Sequence, residues 1–228
     1  MCARNVFKLG ALEAPKTAFL LCDIQEKFRP HIKYFSEVVK VANKMVAAAK
    51  HFKIPVYVSE QYPKGLGHTT KDINICDAAL VYEKTKFSMY TPELEERLRK
   101  DVPELQSVVL FGIEAHVCIE QTVIDLLSKD LVVHVLADGV SSRSLMDRGL
   151  ALQRMDVPVL SCFVTTSESI HFKLMRDKSH PKFKLISKLN TKPTVDTLGF
   201  SNKPSEIKSP LPARNECRSL FAAVGLVK

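Results

Sequence analysis

The chain has 228 residues, of which 46% are hydrophobic and 25% charged, a balance that suits one full core in a soluble globular protein. No apolar run approaches the roughly 20 residues needed to cross a bilayer, so no membrane partner is expected. The formal net charge is +8, but basic residues are interleaved with acids, as in "ELEERLRKDVPELQ", and the six Lys or Arg and three Asp or Glu after residue 190 account for +3 of it. No nucleic-acid partner is expected either.

The first ten residues, "MCARNVFKLG", lack the apolar stretch and cleavage site of a secretory signal. The terminal "LVK" is not a peroxisomal tripeptide. The expected compartment is the cytoplasm, with an organelle such as the mitochondrion or peroxisome left open. Six cysteines are widely spaced with no C-x-x-C pair, which points to free thiols rather than a disulfide framework or a zinc site.

In chain order, short apolar runs alternate with helical patterns. "TAFLLCDI" (17–24) reads as a buried strand and is followed by a helix over about 34–52. "IPVYVSE" (54–60) and "ALVYEK" (79–84) read as the next strands. "TPELEERL" then opens a helix over about 92–100, with Thr91 as N-cap, Pro92 in the first turn and acids behind it. "SVVLFGI" (107–113) leads into a helix over about 117–129, whose Ile119, Val123, Leu126 and Leu127 share one face. "LVVHVLAD" (131–138), a helix over about 142–155, "VLSCFVTT" (159–166) and a helix over about 166–176 complete the pattern. Ser141 or Ser142 is expected to cap the 142–155 helix, and "TTSE" (165–168) to form a capping box. Cys22 and Cys162, inside apolar runs, read as small hydrophobes.

Near-continuous apolar strands suit parallel pairing with both faces covered. The expected fold is α/β: a three-layer Rossmann-like sandwich on a mostly parallel six-stranded sheet, order 3-2-1-4-5-6. Residues 1–15 form an N-terminal extension, 16–189 the domain, and 190–228 a flexible Pro-containing tail in which "CRSLFAAVGLV" has the makings of a short docked helix.

Ligands bind beyond the carboxyl ends of strands in such sheets, and three ionisable groups sit there. Asp23 ends the first strand, Lys84 ends the third, and Cys118 lies just past the fourth. Taken singly, each has an ordinary reading: a helix cap or turn former, a solvated loop charge, a core thiol. Together they offer a thiol at a helix start, where the thiolate is favoured, a carboxylate to take its proton and an ammonium to keep that acid ionised. This is the set a nucleophilic hydrolase needs, with main-chain amides at the helix start as oxyanion donors.

The blocks "FLLCDIQEKFRP", "SEQYPKGLGHTT", "EKTKFSM", "VVLFGIEAHVCIEQT", "DGVSSRSLMDR" and "TTSESI" with "HPKFKLISKL", in this order, resemble the isochorismatase-like hydrolases over about residues 16–189. The resemblance implies an Asp–Lys–Cys triad of Asp23, Lys84 (not Lys86) and Cys118, and a non-proline cis peptide near Ile113–Glu114. It places Gln25, Phe28, Phe87, Glu114 and Val117 around a substrate, with Phe28 and Phe87 as apolar walls. His116 and Arg143 are candidates for pocket or oligomer contacts. Related nicotinamidases bind a divalent metal after the second strand. Here Ser59, Glu60 and Gln61 stand where those ligands would begin, and His68 is the nearby imidazole. No metal and no cofactor are therefore expected. The expected activity is metal-independent cysteine hydrolysis of a small amide-like or related metabolite by a homo-oligomer, dimeric or larger. The alternative is a catalytically quiet relative that acts through protein–protein interaction.

Overall fold

A computed structural model describes residues 6–191. The expected flexible tail and its helix candidate lie outside these residues, apart from 190 and 191. The described chain forms a six-stranded sheet in the order β3-β2-β1-β4-β5-β6, every pair parallel. The strands are β1 (Thr17–Cys22), β2 (Val56–Gln61), β3 (Leu80–Lys84), β4 (Ser107–Ile113), β5 (Val132–Ser141) and β6 (Cys162–Thr165). The helices are α1 (Phe35–Phe52), α2 (Pro63–Leu66), α3 (Pro92–Asp101), α4 (Glu120–Leu127), α5 (Leu145–Met155), α6 (Ser167–Met175) and α7 (Phe183–Leu189).

Side-chain alternation along the strands sorts the core into two layers. Phe19 and Leu21 of β1 join α1, α6 and α7 on one face. Ala18, Leu20 and Cys22 join α3, α4 and α5 on the other. All of β1, β4 and β5 is buried, as central parallel strands covered by crossovers must be. Across the first layer Phe19 and Phe111 meet edge to face, with centroids 6.4 Å apart.

Several boundaries differ from the sequence expectation for identifiable reasons. β5 runs on to Ser141 because its pairing with β4 shifts register between Leu110 and Gly112 and then resumes at Gly112–Val140 and Ile113–Ser141. Ser141 and Ser142 are thus spent on the strand and its end, and Ser144 caps α5 by accepting from the Asp147 amide. The cap of α6 is Thr166, which accepts from the Ser169 amide, one residue beyond Thr165, the cap of the expected box. Thr91 does cap α3, accepting from the Leu94 amide with Pro92 in the first turn. The described part of the expected N-terminal extension packs onto the domain. Leu12 is buried in the first core layer, and Arg176 donates to its carbonyl.

Candidate active site

The strand order brings the ends of β1 and β4 side by side, with β2 and β3 beyond β1. Asp23 follows β1 with φ +50°, a left-handed conformation tolerated more readily by Asp and Asn than by most residues. Its carboxylate is buried: Oδ1 accepts from the Ser59 hydroxyl at 2.7 Å and Oδ2 from Lys84 Nζ at 2.7 Å. The two side chains of this ion pair are 1% and 0% exposed. Lys84 Nζ also donates to Gln61 Oε1 at 2.6 Å and to the Phe87 and Lys86 carbonyls at 2.9 and 3.2 Å.

An ammonium has three protons. Those of Lys84 are divided among protein acceptors, so its influence on a ligand is electrostatic. Burial disfavours its charge, but Cys22, Asp23 and Cys118 outweigh burial and leave its pKa above the ordinary lysine value. Tyr62 donates its amide to the Lys84 carbonyl, tying the end of β3 to the turn after β2.

Cys118 sits in a π-helical turn, Ala115–Ile119, that runs into α4. The Ile119 amide reaches back to the Glu114 carbonyl. Such wide turns widen a helix locally and occur often at functional sites. The peptide Ile113–Glu114 is cis. Cys118 is 7% exposed, and its sulfur lies within 4.8 Å of both an Asp23 carboxylate oxygen and the Cys22 sulfur. Asp23, Lys84 and Cys118 are therefore brought together at the carboxyl edge of the sheet.

The remaining sequence candidates fall into different settings. Gln25 is fully buried; its Nε2 donates to the Gln61 and Gly67 carbonyls and its Oε1 accepts from the Gln61 amide. It pins the loop after β2. Phe28 packs with the α1-side core and Val117 with the opposite one. Phe87 is 51% exposed and presents its carbonyl to Lys84. Glu114 is nearly buried and pairs with Arg143 through Nη2 at 3.3 Å. His116 Nδ1 meets the Ser142 hydroxyl at 3.0 Å.

The last three positions of β2 serve as scaffold. Ser59 holds Asp23, Gln61 holds Lys84, and Glu60 accepts from the Thr69 amide and hydroxyl and meets His68. Burial raises the Glu60 pKa, but the Thr69 and His68 contacts outweigh it and leave the group more acidic than usual. Among the described residues, Cys22, Asp23 and Cys118 are near enough to share a cation. A cation there would have to displace the Lys84 ammonium from Asp23 and take the proton from Cys22, so the donor set does not favour a resident ion. Cys22 is the feature that sequence reasoning missed. A cysteine inside an apolar run carries no local mark of chemistry, and its closeness to Cys118 exists only through the pairing of β1 with β4.

An isochorismatase domain model matches residues 17–169. Isochorismatase domain-containing protein 1 of Danio rerio is 48% identical over 185 residues, 81% of this chain and 64% of that protein, so this chain spans less than two thirds of that relative. Isochorismatase domain-containing protein 2 of Xenopus laevis is 46% identical over 83% of this chain and 91% of its own. The structure described as MAR1 ribonuclease from Caenorhabditis elegans is 40% identical, covers 89% of this chain and 98% of its own, and superposes with a TM-score of 0.76. The fold is that of the isochorismatase-like hydrolases, and the chain belongs to the isochorismatase domain family.

Proposed function

We propose that this protein is a metal-independent cysteine hydrolase of a small amide-like or related substrate, with Cys118 as nucleophile. The supporting observation is the buried Asp23–Lys84 pair beside the Cys118 sulfur. Asp23 takes the thiol proton, and the thiolate adds to the carbonyl carbon. Collapse of the tetrahedral adduct breaks the C–N bond, and the amine leaves with the proton returned from Asp23. Asp23 then accepts a proton from water as hydroxide adds to the acyl-enzyme. The acid product departs, and the Cys118 sulfur recovers its proton. Lys84, 2.7 Å from Asp23 Oδ2, pairs with the carboxylate whenever the cycle leaves it ionised.

The test is a panel of small amides and esters, together with a metabolite extract, incubated with wild type and Cys118→Ala. The expected result is turnover lost by on the order of 10³-fold or more. Undiminished turnover in the variant would overturn the nucleophile. A wild type inert to the whole panel, with a partner that co-purifies in stoichiometric amount, would favour the quiet interaction protein.

The name carried by the 40%-identical Caenorhabditis elegans structure supports a second reading, RNA cleavage. Its test is incubation of the full chain with a labelled RNA at several salt concentrations, because phosphate contacts weaken as salt rises. Cleavage retained in wild type and lost in Cys118→Ala would move the substrate class to RNA.

A further inference from the structure

Cys22 is a buried thiol beside the proposed nucleophile to which this mechanism gives no task. It ends β1, is fully buried, and lies in the same core layer as Cys118. Successive strand side chains point to opposite faces, so an extended Asp23 would carry its carboxylate away from the Cys22 thiol. The positive φ of Asp23 turns the carboxylate back, and both sulfurs and a carboxylate oxygen gather within 4.8 Å.

Gly112 permits the approach from the other side. It pairs in register with Cys22 at φ +130°, and a Cβ there would lie 2.1 Å from the Cys22 carbonyl oxygen. Only glycine lets β4 run this close to β1 and deliver the Cys118 turn to Cys22.

Two thiols within 4.8 Å of each other titrate as a pair, and ionisation of one makes the second proton harder to remove. Cys22 is the deeper member. Burial first, then the contact with Cys118 and the Asp23 charge, hold its thiol well above the usual range. A thiol that keeps its proton remains a donor, and a donor facing a thiolate favours the charged form.

We propose that Cys22 is a positioning residue for the nucleophile: its S–H donates to the Cys118 sulfur and holds the thiolate beside the Asp23–Lys84 pair. The inference rests on Cys118 being the nucleophile of the proposed reaction. Cys22 loses no proton in the cycle. The Cys118 proton goes to Asp23 and then to the leaving group, while the Cys22 S–H contact weakens as the sulfur binds carbon and returns when the acyl group leaves.

The test is the rate of iodoacetamide alkylation at Cys118, followed by peptide mass spectrometry from about pH 5 to about pH 10 in full-length wild type, Cys22→Val and Cys22→Ser. Cys22→Val, close in volume but without a donor, should raise the alkylation midpoint by about one pH unit, slowing the reaction about tenfold below it. Cys22→Ser keeps a donor and should shift less than half as far. A valine variant with the wild-type midpoint, or a serine variant that moves as far as valine while both keep the wild-type circular dichroism, would overturn the proposal. If the valine variant does not fold, Cys22→Ala replaces it in the same comparison. Full turnover in Cys118→Ala would remove the nucleophilic role, while the alkylation profile would still report on the thiol pair, so the two failures are read apart.

Discussion

Lys84 and His134 are both fully enclosed bases on strands of the same sheet, and the protein treats their charges in opposite ways. Lys84 keeps its proton under full burial because a carboxylate, an amide oxygen and two carbonyls surround its Nζ. His134, on β5, stacks on Phe163 with centroids 5.4 Å apart and planes 21° from parallel. Neither of its ring nitrogens has a hydrogen-bond partner among the described residues. Burial first, and Lys173 second, push its pKa down to about 3. Equal depth therefore does not settle charge; the supply of partners does. The contrast also separates the proposed site from a place built for packing.

Removing one partner of the Lys84 set should produce the largest effect. Lys84→Met leaves the Asp23 carboxylate buried and unpaired, and should cost about 3–5 kcal/mol in a urea unfolding curve. Adding Asp23→Asn to that variant should recover part of the loss, because the stranded charge is gone. A double variant no more stable than Lys84→Met would show that packing, rather than charge, dominates the site.

His134 sharpens the comparison through pH. In the folded state its imidazole stays neutral down to about 3, whereas in the unfolded chain it protonates near 6.5. Below that value the unfolded state binds the extra proton. The contribution is therefore complete above the unfolded value and lost as pH falls toward the folded one. Between about pH 7.5 and about pH 5 wild type should lose about 2 kcal/mol more than His134→Leu. His171, with its pKa lowered to about 4 mainly by burial, acts in the same window in both proteins and cancels from the difference. Equal pH slopes for wild type and variant would break the reading of His134 as an imidazole forced neutral.

Ser59→Ala tests how far the Asp23 set depends on each donor. The lost bond is a buried 2.7 Å hydrogen bond to a carboxylate, and its removal should cost about 1–2 kcal/mol. The cost is read from a urea unfolding curve, and a loss well below this range would show that Lys84 holds the buried carboxylate without the Ser59 donor.

The layer architecture was legible because each strand is a short β-branched run and parallel sheets need both faces apolar; the order β3-β2-β1-β4-β5-β6 then follows from doubly wound topology. Asp23, Lys84 and Cys118 were legible because a charge or a thiol at a strand end stands out against an apolar run. The paired thiol was not. As a cysteine in an apolar run, Cys22 reads in sequence like Cys162, which is also a buried strand cysteine with its pKa raised, to about 12, chiefly by burial. What separates them is partner geometry across the β1–β4 ladder and a left-handed residue next in the chain, neither of which has a spacing rule. Gln25 reads as a ligand contact in the motif, yet its amide serves the backbone of the next loop. The cap of α5 was misplaced because the register shift in β4–β5 that lengthens β5 leaves no composition signal.

Arg154 and Glu120 complete the comparison at its smallest effect. Their two bonds are 2.7 Å each, the same as Lys84 to Asp23, and the fork geometry is the better of the two. Yet the side chains are 53% and 20% exposed, so water and salt compete for both charges. Arg154→Ala should cost no more than about 0.5–1 kcal/mol, and that cost should shrink toward zero near 1 M salt, where the screening length is about 3 Å. The loss in Lys84→Met should be nearly independent of salt, since no ion reaches the pair. If Arg154→Ala cost as much as Lys84→Met, bond length would govern these pairs, and burial would lose its place as the factor that separates them.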